Sequence, residues 1–477
     1  MTKQEILDYL DERKDDFVAF SDQIWSHPEL CYKEFQSAKD FTDFLKKEGF
    51  RVTEGAADIP TAFVAEYGQG KPILAFLAEY DALPGLSQKG NTAVQCRIEG
   101  QEDGHGCGHN LLGTASLAAA VAMKKYLEVH PEKGTIRLYG TPAEEGGNAK
   151  CYMVRDGLFE DVDAAIIWHP DNMNYMVPSS LLAVISMRYR FTGIGAHAAM
   201  CPQRGRSALD AVTLMNVGSE FLREHVTDDV RIHYAITNSG GIYSNVVPKE
   251  AEVSYMIRAP HLEECIRVRD RLDKIARGAA MMTETEVEIS LNNAMAEMLP
   301  NVTLDQMVHR NFMELGPTPV TEEDIRFAEE IRATLSPEQQ MADEDRMRGI
   351  FGGEIGEQIV EKLHGKPISD FVYPYISNTG ILYGSTDAGD VSQVVPTSQF
   401  SVCCFPQGMP NHTWQIVSCA VSNLGHSAML HAGKLMAVSA AELFENPAEL
   451  DQAKEEFRKR RGGKPYQSLI PPEKKPF

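Results

Sequence analysis

The feature that most constrains the fold is a series of short apolar runs that end in ionisable residues. Residues 71–78, 134–140 and 164–168 have the composition of buried strands, and helical patterns alternate with them. This alternation predicts an α/β fold with a mostly parallel sheet, in which ligands bind beyond the carboxyl ends of the strands. The polar residues that follow the strands are therefore expected to converge in space.

The pattern changes near residue 182. Strand and helix patterns then follow in the order β-α-β-β-α-β up to residue 295, which predicts a ferredoxin-like α+β unit. A chain of 477 residues is too long for one ordinary core. We therefore expect a catalytic domain formed by residues 1–182 and 296–477, with residues 183–295 inserted as a second domain. Residues 296–365 have charged helical patterns in which we identify no chemistry.

Composition excludes several functional classes. The formal charge of −22 would repel phosphate backbones, so a small-molecule substrate is expected and nucleic acid is not. The longest nearly apolar run, residues 111–123, is shorter than the roughly 20 residues that cross a bilayer. No secretory signal opens the chain, and its nine cysteines lack the spacing of a disulfide framework. We expect reduced thiols, a cytoplasmic location and no membrane association.

Metal-binding side chains are concentrated at the predicted strand ends. Cys107 and His109 lie in a glycine-rich loop before a long apolar helix, and Glu144, Glu145 and His169 follow two of the strands. Thiolate, imidazole and carboxylate together suit a transition metal. In an adjacent pair of glutamates, one can bind metal while the other accepts the proton of a metal-activated water.

The order of these motifs along the chain resembles the aminoacylase/carboxypeptidase family of di-metal peptidases. The resemblance is to the amidohydrolase branch that contains plant auxin-conjugate hydrolases and bacterial p-aminobenzoyl-glutamate hydrolases. The matching motifs run nearly the whole length of the chain: Trp25-Ser-His-Pro-Glu-Leu30, Glu79-Tyr-Asp-Ala-Leu-Pro84, Gly106-Cys-Gly-His-Asn110, Pro142-Ala-Glu-Glu-Gly146, Trp168-His169, Gly195-Ala-His-Ala198, Ser244-Asn-Val-Val247 and Asn411-His-Thr413.

The resemblance implies the members of a metal site. Two divalent metal ions, zinc or manganese with cobalt as a further possibility, would be bound by five ligands: Cys107, His109, Glu145, His169 and His412. Glu144 would be the general base. Asp81 would orient a metal ligand.

It also implies how the substrate is held. Residues 183–295 would act as a lid and dimerisation domain, with His197 reaching a partner subunit's active site to stabilise the oxyanion. Asn245 and Arg258 would contact substrate, with Arg258 binding its carboxylate.

Metal-dependent hydrolysis of the amide bond of an N-acyl amino acid is the implied activity, with an aminobenzoyl-type substrate such as p-aminobenzoyl-glutamate. Metal-bound hydroxide would attack the carbonyl, and Glu144 would pass the proton to the leaving amine. A dipeptidase or broad N-acyl-amino-acid deacylase is one alternative, and a non-catalytic subunit of a hetero-oligomeric hydrolase is another. The implied assembly is a homodimer or a heterodimer with a related subunit.

Two positions depart from the family pattern. Many relatives have Asp where this chain has Asn110, and distant carboxypeptidases have a His-x-Asp ligand motif where this chain has Glu79-Tyr80-Asp81. Glu79 therefore stays outside the expected ligand set. The loop of residues 384–390 is a candidate substrate loop because of its two aspartates.

Overall fold

The computed structural model describes residues 1–177, 179–377 and 380–477. Its strands are β1 (Arg51–Glu54), β2 (Phe63–Gly68), β3 (Ile73–Ala78), β4 (Thr135–Gly140), β5 (Ala164–Asp171), β6 (Tyr175–Met176), β7 (Ser180–Leu181), β8 (Ala183–Thr192), β9 (Ala196–His197), β10 (Arg231–Asn238), β11 (Val246–Val247), β12 (Glu250–Ala259), β13 (Glu286–Met295), β14 (Ile381–Leu382) and β15 (Thr397–Cys403).

Its helices are α1 (Lys3–Glu12), α2 (Lys14–Ser26), α3 (Phe35–Lys47), α4 (His109–Val129), α5 (Ala149–Arg155), α6 (Ala208–Arg223), α7 (Leu262–Thr283), α8 (Val302–Leu315), α9 (Glu322–Arg332), α10 (Pro337–Gln340), α11 (Ala342–Phe351), α12 (Gly353–Leu363), α13 (Ala388–Ser392), α14 (Trp414–Cys419), α15 (Asn423–Glu445) and α16 (Pro447–Arg460).

The larger sheet has the order β1-β2-β4-β3-β5-β15-β6. Its four central strands, β4, β3, β5 and β15, are mutually parallel, and antiparallel strands flank them on both sides. Every residue of β3 is buried, because α4 and α15 cover one face of the sheet and α5 and α13 cover the other. A strand covered on both faces is apolar throughout, which explains the continuous apolar run seen in the sequence.

The chain changes direction in the middle of this sheet. From β3 it passes through α4 to β4 on one side, and from β4 it passes through α5 to β5 on the other side. The two crossover helices lie on opposite faces of the sheet. Such a switch point leaves a crevice beyond the carboxyl ends of the strands, where ligands bind in folds of this kind.

The second sheet lies within residues 183–295 and has the order β10-β12-β8-β13, antiparallel throughout. Helices α6 and α7 cover one of its faces and share a separate hydrophobic core with it. Buried and partly exposed residues alternate along β12, as in a sheet with one covered face. The predicted ferredoxin-like order of elements is therefore present, with the short strands β9 and β11 added between them.

Helices α8 to α12 account for most of the segment in which no chemistry was identified from the sequence. Helix α8 packs on β15 and α15, while α11 and α12 form a smaller cluster with the region around β6. None of the helices in the described ranges is both long enough and apolar enough to cross a bilayer.

Candidate metal centre

Side chains from five separate segments meet beyond the carboxyl ends of the parallel strands. Three groups of possible ligand atoms each lie within 4.8 Å of one another: Cys107 with His109 and His169; Cys107 with Glu145 and His412; and Glu79 with His109 and Glu144. Cys107 and His109 each belong to two of the groups. The structure thus brings together all five residues expected to bind metal, and it adds Glu79.

The loop that carries Cys107 and His109 needs glycine at position 108. Gly108 has a φ of +77°, and a Cβ there would lie 3.0 Å from Phe405 Cζ and 3.3 Å from Pro170 Cγ. A side chain would therefore be both strained and crowded at this position. The tight approach lets α4 begin at His109, directly beneath the cluster.

Asp81 fixes the orientation of His109 and of the Glu145 backbone. His109 Nδ1 donates to Asp81 Oδ1 at 2.8 Å, and the Glu145 amide donates to Asp81 Oδ2 at 2.9 Å. With its proton on Nδ1, the imidazole presents the lone pair of Nε2 to the cluster. One buried carboxylate thus positions two of the candidate ligands.

The two adjacent glutamates follow a residue held in a left-handed conformation. Ala143 has a φ of +60°, and its amide donates to Glu34 Oε1 at 2.9 Å. A non-glycine residue with this backbone persists only where its surroundings impose it. Glu34 is fully buried, and burial together with the nearby Asp81 charge raises the pKa of Glu34 to about 8.

Glu144 and Glu145 have different electrostatic environments. Burial, followed by the Glu79 carboxylate, raises the pKa of Glu144 well above its ordinary value. Burial also opposes ionisation of Glu145, but the adjacent His412, followed by His109, outweighs it and lowers the pKa of Glu145. His412 Nε2 lies 3.3 Å from Glu145 Oε1. The pKa values of the two adjacent carboxylates are thus shifted in opposite directions.

The cluster has the chemistry of a cation site. Glu79 Oε2, His109 Nε2 and Glu145 Oε1 are buried and lack a well-aligned hydrogen bond, although Glu79 Oε2 lies 3.2 Å from His109 Nε2 and Glu145 Oε1 lies 3.3 Å from His412 Nε2. Burial also raises the pKa of the Cys107 thiol and lowers the pKa of His169. Polar atoms buried without well-aligned hydrogen bonds are costly, and divalent cations bound among them would relieve that cost. The residues present therefore fit the two metal ions that the family resemblance implies.

A buried ion-pair network lies beneath the cluster. Lys150 is fully buried, and its Nζ donates to Glu79 Oε1 at 2.7 Å and to Asp387 Oδ1 at 2.5 Å. Its backbone amide donates to Asp387 Oδ2 at 3.1 Å. Sequence reasoning missed Lys150, because nothing in the sequence distinguishes a buried lysine at the start of a short helix. Asp387 lies in the candidate loop, but it contacts Lys150 and is itself buried.

A cavity of about 540 Å³ adjoins the cluster and is lined by residues of the larger sheet. Its apolar wall consists of Leu77, Ile167, Val177, Leu181 and Leu382, and the candidate ligands form its rim. Arg346 of α11 also lines it, donating to both carboxylate oxygens of Asp171 at 3.1 and 3.0 Å. The segment of residues 296–365 therefore does contribute to the site, through a residue that the sequence did not single out.

A second cavity of about 320 Å³ lies between the cluster and the second sheet. Glu144, Glu145, Ser385 and His412 line both cavities, so the two meet at the candidate ligands. Arg258 of β12 lines the second cavity, where its guanidinium donates to Ser385 Oγ at 3.3 Å and contacts Met256 Sδ. No carboxylate of the described residues is paired with Arg258.

His197 and Asn245 lie away from the cluster within this chain. Both are exposed, and neither lines one of the two cavities. They are adjacent, because β9 pairs with β11 and the Ala198 amide donates to the Asn245 carbonyl. Large apolar side chains around them are exposed: Met200 by 80%, Ile242 by 89% and Tyr243 by 73%.

Asn110, where the family pattern has Asp, points away from the cluster. Its side-chain amide donates to Ser21 Oγ and to the Ala420 carbonyl, both at 3.0 Å. The residue is fully buried between helices α2, α4 and the region before α15. Its departure from the pattern therefore affects helix packing and leaves the candidate ligands unchanged.

Comparisons with known proteins match most of the chain. Residues 75–373 match the model of peptidase family M20/M25/M40. A subunit of the p-aminobenzoyl-glutamate hydrolase of Escherichia coli strain K12 is 44% identical, covering 98% of this chain and 98% of that protein. The Xaa-Arg dipeptidase of Mus musculus is 28% identical, covering 96% of this chain and 92% of that protein.

A solved structure agrees with the fold. The dinuclear metal-binding peptidase of the M20 family from Bacillus subtilis superposes with a TM-score of 0.55, at 15% sequence identity. The match covers 91% of this chain and 99% of that one.

Proposed function

Because this chain belongs to peptidase family M20/M25/M40, a family of hydrolases acting on amide bonds, we propose that it hydrolyses an N-acyl amino acid whose two halves occupy the two cavities. The acyl group lies in the cavity against the larger sheet, and the amino acid lies in the cavity beside Arg258. The observation that carries this proposal is that the two cavities meet at Glu144, Glu145 and His412. An amide bond that joins the two halves would lie at the candidate metal ligands.

Cys107, His109, Glu145, His169 and His412 would hold two divalent metal ions, with Glu79 close enough to take part. Bound there, the metals would polarise the amide carbonyl and lower the pKa of a water molecule toward about 7. Zinc and manganese are the ions we propose, since thiolate favours zinc and carboxylate tolerates manganese.

Glu144 is the residue that moves the proton. It accepts the proton of the attacking water and delivers it to the amide nitrogen as that nitrogen leaves. Its raised pKa lets the carboxyl hold the proton between these two steps. Asp81 keeps His109 and Glu145 in position, because one of its carboxylate oxygens accepts from the His109 ring and the other accepts from the Glu145 amide.

The substrate we propose is p-aminobenzoyl-glutamate, the compound named for the Escherichia coli relative. The apolar wall of the larger cavity suits a planar aromatic acyl group. Arg258, without a carboxylate partner, suits the α-carboxylate of glutamate because a guanidinium fork matches carboxylate geometry.

The second sheet is proposed to act as a lid and as a surface for assembly. Exposed apolar side chains around His197 and Asn245 indicate a surface that another protein covers. A second copy of this chain or a related subunit would bring His197 to a neighbouring centre, where it would stabilise the oxyanion. The Escherichia coli relative is one subunit of its hydrolase, which supports a hetero-oligomer. A cytoplasmic location is proposed from the nine free cysteines.

A substrate panel on the purified, metal-analysed chain tests the proposal. Hydrolysis of p-aminobenzoyl-glutamate should exceed hydrolysis of acetyl-glutamate and of dipeptides ending in arginine, with about two metal ions per chain. Preference for the dipeptides would favour the dipeptidase alternative that the mouse relative represents. Metal binding without any hydrolysis, reversed by adding a related subunit, would make this chain a non-catalytic partner.

A further inference from the structure

The larger cavity contains a polar side chain that neither the metal site nor the buried ion pairs use. Gln399 of β15 lines the cavity, and its Oε1 is buried without a hydrogen-bond partner. Of the buried unpartnered side-chain atoms that line this cavity in the described ranges, the others are Glu79 Oε2 and Glu145 Oε1, which belong to the cluster. A buried amide that is left unpaired is costly, so a polar group of the ligand is expected to meet it.

Gln399 lies at a defined depth below the candidate ligands. In the pairing of β15 with β5, Gln399 is opposite Ile167 and Ser401 is opposite His169. Gln399 is thus two residues nearer the amino end of the strand than the level of His169. Two residues of a strand rise roughly 6.6 Å.

The surroundings of Gln399 are apolar on several sides. Ile167 is its neighbour on β5, and Leu77 and Val177 line the same cavity. Arg346, which also lines the cavity, is occupied by Asp171 and by the Tyr175 hydroxyl. An aromatic ring between these apolar side chains would therefore meet one unpaired amide at its far end.

We propose that Gln399 recognises a hydrogen-bond donor at the para position of an aromatic acyl group, and so selects p-aminobenzoyl over unsubstituted benzoyl substrates. From standard bond lengths, the para nitrogen of a p-aminobenzoyl group is roughly 6 Å from the carbonyl carbon. That length matches the depth of Gln399 below the level of His169. The side-chain amide can turn so that its oxygen accepts from the arylamine. The inference rests on the proposed function and narrows its substrate class.

Selectivity between matched substrates tests the inference directly. Wild type should hydrolyse p-aminobenzoyl-glutamate with a kcat/KM about tenfold or more above that for p-methylbenzoyl-glutamate, which has the same shape but no donor. In Gln399→Met the ratio should fall to about one, because a thioether cannot replace the amide acceptor. The ratio should fall in part because the p-methyl substrate, which leaves the Gln399 amide unpaired in wild type, is hydrolysed faster by the variant.

Gln452→Met is the matched control. It makes the same chemical change at an exposed position on α16 and should leave the ratio unchanged. Binding of p-aminobenzoate and p-methylbenzoate, measured by calorimetry, provides a readout that is independent of turnover. Wild type should bind p-aminobenzoate more tightly than p-methylbenzoate, and Gln399→Met should bind the two equally.

The possible outcomes separate the two proposals. Equal kcat/KM for the two substrates in wild type, or an unchanged ratio in a folded Gln399→Met, overturns the role of Gln399 while leaving the hydrolase function in place. If Gln399→Met does not fold, the wild-type substrate ratio and the calorimetric difference decide the matter alone. Failure of the metal-loaded chain to hydrolyse either substrate overturns the function, and equal binding of the two benzoates would then overturn the inference as well.

Discussion

The two cavities that meet at the candidate metal centre are built in different ways. The larger one is lined in part by the parallel strands β3, β5 and β15, and several apolar side chains face it. The smaller one is formed largely by residues of the second sheet, and its distinctive group is the unpaired cation of Arg258. Under the proposed function, one half of the substrate would be selected by shape and by the hydrogen bond of Gln399, and the other half by charge.

This division also explains what was predictable from the sequence. Asp81, Glu144, Glu145 and His169 were expected to converge because each follows an apolar strand, and the structure places them together. Cys107 and His109 were expected there because of their loop before α4. Motifs at strand ends are visible in a sequence, since the strand and the polar residues after it are contiguous.

Residues whose role depends on burial were not predictable. Lys150 is an ordinary lysine in the sequence, and only the packing of α5 against α13 places it between two carboxylates. Gln399 and Arg346 reach the larger cavity from segments far along the chain. His197 and Asn245 show the opposite case, since their motifs are evident but their proposed role requires a second chain.

The residues that line both cavities are tested by Glu144→Gln. We expect kcat to fall by about 10³-fold, because a general base is lost, while metal content and binding of both product halves are retained. Stopped assays and metal analysis measure these quantities. Glu99→Gln, at an exposed position, is the control. Near-normal turnover by the Glu144 variant would remove this residue from the mechanism.

The buried ion pairs of Lys150, which lines the larger cavity, are tested by Lys150→Met. Removing the lysine leaves Glu79 and Asp387 buried without their partner, so the free energy of unfolding should fall by about 3–5 kcal/mol. Urea unfolding at pH 7 measures this. Lys39→Met breaks an exposed pair with Asp43 and should change stability little. Equal effects from the two variants would contradict the structural role given to Lys150.

The turn that carries Glu144 and Glu145 is tested through Glu34, by the pH dependence of the free energy of unfolding. The pKa of Glu34 is raised in the folded state to about 8, so burying this carboxyl costs stability as the pH rises from its unfolded value toward 8. Relative to Glu34→Gln, wild type should lose roughly 3 kcal/mol of unfolding free energy between pH 5 and pH 8. Urea unfolding at both pH values measures it. A difference independent of pH would show that Glu34 is ionised in the fold.

The smaller cavity is tested by Arg258→Met. Loss of a charge-assisted hydrogen bond should lower kcat/KM for p-aminobenzoyl-glutamate by about tenfold to a hundredfold, mainly through KM. Arg190→Met, which breaks an exposed pair on β8 of the same sheet, is the control. An Arg258 variant with unchanged KM would place the substrate carboxylate elsewhere.

The independence of the two cavities is tested by combining Arg258→Met with Gln399→Met. Because the residues line different cavities, their effects on kcat/KM should multiply, with a residual coupling below about 0.5 kcal/mol. Steady-state kinetics of the two single variants and the double variant measure it. A larger coupling would mean that both side chains contact the same half of the substrate.

The most direct test of the two-cavity arrangement is a crystal structure of metal-loaded Glu144→Gln with p-aminobenzoyl-glutamate bound. We predict the aromatic ring beside Leu77, Ile167 and Gln399, the amide at the ligands that surround Cys107, and the glutamate carboxylate on Arg258. A substrate bound in the reverse direction, or with its amide bond away from the metal ions, would contradict the account.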